Sequence, residues 1–134
     1  MAQKTIETVL GDAELGRTSA ETREVLRRYH DAFRNHAPEA LVDLVAEVCV
    51  IENISPAPHG SRYVGKAACL EVWQPIAATR DKRFEHEEIF VAGDRIVTRW
   101  HLSWGNEESQ SLRGLNLMRV RNRRIVEALG YAKR

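Results

Sequence analysis

A tyrosine on an apolar helix face is the first residue here whose type and place could do chemistry. Tyr29 lies between Leu26 and Phe33 at helical spacing, so its phenol enters an otherwise greasy interior. A hydroxyl there can donate a hydrogen bond to an oxygen gaining negative charge, or simply satisfy a nearby carbonyl. A second polar group comes from strand alternation, which puts Gly114, Asn116 and Met118 on one face and Leu115, Leu117 and Arg119 on the other. The first set is small and polar enough to border a cavity. Arg99 and His101 share a side of their strand. An imidazole works as a base near neutral pH, and an arginine can hold a carboxylate or enolate. The opposite set (Ile96, Thr98, Trp100, Leu102, Trp104) is more apolar, so either face could be the one turned to a cavity.

Phe33, Trp73, Phe90, Trp100, Trp104 and Met118 supply aromatic and soft apolar surface suited to a flat apolar ligand or to ordinary packing. Ala128, Gly130 and Ala132 leave one face of the last strand narrow. His30, His36, His59 and His86 read as surface or loop histidines, with His59 alone near a pocket mouth. Cys49 and Cys69 form no C-x-x-C motif, and with the histidines they make no metal-ligand spacing. There is no phosphate-binding glycine loop, nucleophile elbow or Ser/His/Asp set. No cofactor or metal is expected.

The elements that must position these residues follow from periodicity. Residues 1–18 read as an N-terminal arm and 19–134 as one domain, with Thr18-Ser19 capping a first helix. Asn35 to Pro38 breaks that helix, and a short second one carries Leu41, Leu44 and Val45. The β-branched run 48–54 is a strand, 55–60 a proline-containing loop, and a third helix follows Gly65 until Pro75 kinks or ends it. Strands are expected at 83–92, 95–104, 109–121 and 124–132, with Gly93-Asp94 turning the first hairpin. This order is α+β: three N-terminal helices packed on a curved mixed sheet, a cone-shaped barrel enclosing a pocket.

Composition excludes several classes. With 134 residues, 43% hydrophobic and 29% charged, the chain suits one globular domain. Its net charge of +1 gives no field favouring nucleic acid or anionic membrane. Residues 113–134 are basic, but the run from Arg119 to Arg124 lacks interleaved aromatics, so a solvated sheet edge is the better reading. No run of apolar residues approaches the ~18 of a membrane span, and the first 18 residues lack a signal-peptide core. The expected location is cytoplasmic.

Several strings, in this order, carry a resemblance. They are Leu26-Arg27-Arg28-Tyr29, Val50-Ile51-Glu52-Asn53, Tyr63-Val64-Gly65-Lys66-Ala67-Ala68, Gly93-Asp94-Arg95-Ile96-Val97, and Asn116 to Val120 leading to Arg124-Ile125-Val126-Glu127. Over residues 19–132 the chain resembles the nuclear transport factor 2-like superfamily, and within it the SnoaL-like polyketide cyclases and ketosteroid isomerases. The resemblance implies a homodimer through the β-sheet and a deep pocket taking an apolar small molecule. It implies that Tyr29 matches the oxyanion-binding tyrosine of the isomerases. Asn53 stands where they carry a general-base carboxylate, and Asn116 where a protonated acid donates a second hydrogen bond.

An amide can donate but cannot take a proton at neutral pH, so the polarising pair survives and the usual base is lost. Arg99-x-His101 is similar to the Arg-x-Asp of limonene epoxide hydrolases with His in place of the acid, which makes His101 the expected base. Glu52 should face away from Asn53. The expected activity is a cofactor-independent isomerase, cyclase or hydratase/hydrolase on an apolar carbonyl compound. The alternative is a non-catalytic ligand-binding or protein-interaction module of the same fold.

Overall fold

The computed structural model describes residues 12–133. Helix α1 (Asp12–Arg34) is followed by a 3-10 segment (Pro38–Leu44), strand β1 (Val45–Asn53), strand β2 (Ser61–Val64) and helix α2 (Lys66–Ala78). Strands β3 (Arg83–Ala92), β4 (Arg95–Ser103), β5 (Ser111–Arg121) and β6 (Arg124–Ala132) complete the chain. The α+β class stands, and the four-strand meander lies within two residues of the expected bounds.

All six strands form one mixed sheet in the order β2-β1-β6-β5-β4-β3, with β1 and β6 parallel and the rest antiparallel. β2 and β3 are its free edges, so the sheet is an open cone rather than a closed barrel, and α1 and α2 cover its concave side. The core lies between them. Leu26 and Tyr29 of α1, Cys69 and Trp73 of α2, and Ile96, Met118, Ile125 and Ala128 of the sheet are all buried in one cluster.

Several expectations shift. α1 runs back to Asp12, so the arm boundary at 18/19 falls inside a helix, and residues 1–11 lie outside the described residues. Ser19 is therefore no cap. Its hydroxyl accepts the Gly93 N–H at 2.7 Å while the Thr22 hydroxyl donates to the Gly93 carbonyl at 2.7 Å, pinning α1 to the β3–β4 turn. The second helix is a 3-10 segment. α2 continues one turn beyond Pro75, because the exposed proline leaves only the solvent-side Glu71 carbonyl without a helical partner. β2 was not expected. It pairs with β1 from Asn53↔Ser61 to Val50↔Val64, and the loop closing that hairpin needs Gly60, where φ is +77 and any Cβ would run into the Asn53 carbonyl.

The register irregularity at Glu87 matters most for the site. His86 pairs with Trp100 and Glu88 with Arg99, so one extra residue is bulged out between them. Before the bulge Phe84 and His86 face the helices. After it the parity inverts, and Phe90 joins Val97 on the outer face.

Candidate functional site

A cavity of about 190 Å³ opens between α1, α2 and the concave face of the sheet. α1 contributes Tyr29 and Phe33, α2 contributes Trp73 and Ile76, and four strands contribute Asn53, Trp100, Asn116 and Gly130. Six of the ten residues expected at the site are thus brought around one space from distant parts of the chain: Tyr29, Phe33, Asn53, Trp73, Trp100 and Asn116.

Tyr29 is 1% exposed and sits edge-on to Phe33 and Trp73, at centroid separations of 4.9 and 5.0 Å. Among the described residues its hydroxyl makes no hydrogen bond. Burial pushes its pKa well above the usual tyrosine value, so the phenol stays protonated and acts only as a donor toward an oxyanion. The indole Nε1–H of Trp100 donates to Oδ1 of Asn116 at 3.1 Å. That bond fixes the amide and leaves its NH2 group without a partner among the described residues. Two glycines make the arrangement possible. A Cβ on Gly114 would strike the Trp100 ring, and one on Gly130 would press on Asn116 Oδ1 at 3.3 Å and the Glu52 carbonyl at 3.0 Å. Asn53 ends β1, and its side chain makes no hydrogen bond among the described residues.

The remaining expected residues lie elsewhere. His101 and Arg99 face the convex side, because β4 turns Ile96, Thr98 and Trp100 inward. His101 Nδ1 is 3.8 Å from the Glu85 carboxylate and Arg99 pairs with Glu88 at 2.7 Å, so neither meets the cavity. Phe90 is 56% exposed on the same convex side, carried there by the Glu87 bulge. Met118 has the inward orientation expected of it, but it is packed in the core and does not border the cavity. Trp104 stands exposed just past the end of β4. Glu52 faces outward and pairs with Arg62 at 2.9 Å.

Of the histidines read as surface residues, His30 is buried and His86 half-buried. His30 of α1 is 7% exposed, and its ring stacks on His86 of β3 with centroids 3.3 Å apart. Their rings lie 5.6 and 6.5 Å from that of Tyr29. Burial, aided by Arg34, lowers the His30 pKa to about 4; burial, His30 and Arg34 lower that of His86 to about 3. Both are neutral at pH 7. The available signal was weak: His30 borders the apolar stripe of α1, one residue after Tyr29, and His86 alternates with Phe84. His36 joins the end of α1 to α2 through an Nδ1 contact of 3.1 Å with the Ala77 carbonyl, and His59 is exposed in the β1–β2 loop.

Chemically, the cavity offers neutral donors on an aromatic floor: a phenol and two amides. Among the described residues no carboxylate or imidazole borders it. Among the described residues no group of three His, Cys, Asp or Glu could hold a metal ion.

The fold has solved relatives. A structure of an NTF2-like protein of unknown function from Mesorhizobium loti is 51% identical, with 87% of this chain and 93% of that one covered at a TM-score of 0.80. A candidate ketosteroid isomerase from Kribbella flavida is 21% identical (87% and 80% covered, TM-score 0.72). An LEH-like epoxide hydrolase from M. tuberculosis is 14% identical (86% and 80% covered, TM-score 0.69). The last two likenesses show the fold alone. No curated protein matches the sequence. No described helix is long and apolar enough to cross a membrane. The SnoaL-like domain model matches residues 26–128, most of the chain and every element from the middle of α1 into β6, so this chain belongs to the SnoaL-like domain family.

Proposed function

We propose that this protein binds an apolar small molecule through one carbonyl or enol oxygen. Tyr29 and Asn116 donate to that oxygen and Asn53 orients the rest of the ligand. The observation that carries this reading is the Trp100–Asn116 bond, which ties up the amide oxygen and frees the amide nitrogen beside an unbonded tyrosine hydroxyl. Two donors fixed on a largely apolar wall stabilise an enolate more than water does. The chemistry they serve is cofactor-independent proton transfer: isomerisation, cyclisation or hydration of an apolar carbonyl compound. A second reading, ligand binding without turnover, is favoured by the lack of any basic side chain among the described residues of the cavity wall.

The convex face supports pairing with a second copy of the chain. Leu117 and Tyr131 are exposed there beside Phe90, in register with Val97, Leu115 and Leu129. A cytoplasmic location goes with the two buried free thiols, Cys49 and Cys69, which suit a reducing compartment.

Thermal shift against steroids, aromatic polyketides, terpenoid epoxides and fatty acids tests the pocket. A saturable rise in melting temperature for one class is expected, since a ligand that binds only the folded state stabilises it by mass action. Silence from every class would remove the small-molecule reading. Turnover assays on the responding class then separate catalysis from binding. Sedimentation tests pairing, with a dimer expected and a monomer in Leu117→Lys.

A further inference from the structure

A second cavity, of about 600 Å³, lies against the first and shares the side chains of Phe33, Phe84, Ile76 and Leu102 with it. The stacked His30–His86 pair borders it. Nε2 of each ring is buried and has no hydrogen-bond partner. A buried polar atom left unpaired costs ~1–3 kcal/mol, and native structures leave few of them. Two such nitrogens, carried by stacked side chains that border a cavity and reachable from it by a turn of the rings, call for a polar group from a ligand.

The surrounding charge says which group. α1 brings Arg34, the turn after it His36, the residue before β3 Lys82, and the start of β3 Arg83 and Glu85. Arg34 is paired with Asp31 at 2.7 Å, and the Glu85 carboxylate is 3.8 Å from His101 on the convex side. Lys82 and Arg83 have no ion pair among the described residues. The cavity therefore combines unmatched positive charge with two imidazole nitrogens, each able to donate in its Nε2–H tautomer. An acceptor carrying negative charge suits both.

We propose that the ligand is an apolar carboxylic acid whose carboxylate occupies the His30–His86 cavity while its apolar body lies in the adjoining Tyr29–Trp100 pocket. The inference rests on the small-molecule reading above and names the class of molecule. The shared rim of Phe33 and Phe84 sets the geometry: the acid group and the polarised oxygen sit on opposite sides of it.

The test uses two probes with one body, 2-naphthylacetic acid and 2-(2-naphthyl)ethanol, titrated calorimetrically into the full chain at pH 7 and low salt. The acid is expected to bind about tenfold or more tightly than the alcohol, as charge-assisted hydrogen bonds exceed neutral ones. That ratio should fall toward one in Lys82→Ala and in His30→Gln/His86→Gln. Lys82 is exposed, so its replacement keeps the test available where the histidine variant folds poorly. Equal binding of the two probes would overturn the acid assignment and leave the pocket reading standing. Binding of neither probe would overturn both. A preference for the acid that survives all three substitutions would place the carboxylate elsewhere and overturn the assignment too.

Discussion

Trp100 and Asn116, on neighbouring strands of the concave face, are joined by a 3.1 Å bond from the indole Nε1–H to the amide Oδ1. Trp100 is thus both wall and brace: its ring lines the cavity and its nitrogen sets which end of the amide is free. Trp100→Phe keeps most of the ring and removes the donor. We expect a stability loss of about 1 kcal/mol in urea unfolding, the typical worth of one such bond. Ligand affinity should fall more than the lost ring area accounts for, because the amide can then turn its oxygen to the ligand. An unchanged affinity for oxygen-bearing ligands would show that Asn116 needs no brace.

Tyr29→Phe separates function from folding. The Tyr29 hydroxyl has no hydrogen bond among the described residues, so deleting it leaves no protein group unpaired. Stability should change by less than ~1 kcal/mol in chemical denaturation, while affinity or turnover falls by roughly tenfold or more. Equal losses in both would identify a structural tyrosine.

Acid should weaken the fold through His30 and His86. Their pKa values are depressed from 6.5 to about 4 and about 3 in the folded chain, chiefly by burial and with Arg34 adding repulsion. Below pH 6.5 the unfolded chain takes up two protons that the folded chain refuses. Stability is therefore fully present above 6.5 and declines as the pH falls through about 4 for His30 and about 3 for His86. Each unit of difference is worth about 1.4 kcal/mol, so the combined loss is of the order of several kcal/mol. Urea unfolding at pH 7, 6 and 5 should show the decline in the wild type and a flatter profile in His30→Gln/His86→Gln. Proton resonances of both rings that titrate near 6.5 would contradict it.

Gly114→Ala should be costly although glycine has no conformational privilege there. A Cβ at this position meets the Trp100 ring and the Tyr131 carbonyl, and overpacking of that kind costs ~1–3 kcal/mol. Gly130→Ala meets its neighbours at 3.0 and 3.3 Å, so it should cost less stability yet still displace Asn116 and reduce ligand affinity. Thermal melts with and without ligand distinguish the two.

The amino-acid sequence determined the elements and most of their faces. The Tyr29 stripe on α1, the alternation that sets Asn116 with Gly114, and the turn at Gly93-Asp94 are local patterns, legible because a helix repeats every 3.6 residues and a strand every two. Their order along the chain carried the family resemblance, and with it the place of Asn53. Tertiary structure decided what local pattern cannot. One bulged residue, Glu87, inverts the parity of β3 and puts Phe90 outside. Which face of β4 turns inward, and so the exclusion of Arg99 and His101, was settled by where the large residues Ile96 and Trp100 found cover beneath the helices. His30 and His86, 56 positions apart, meet only because α1 crosses β3. Burial, which sets their charge and leaves their nitrogens unpaired, is a property of that crossing and has no period in the sequence.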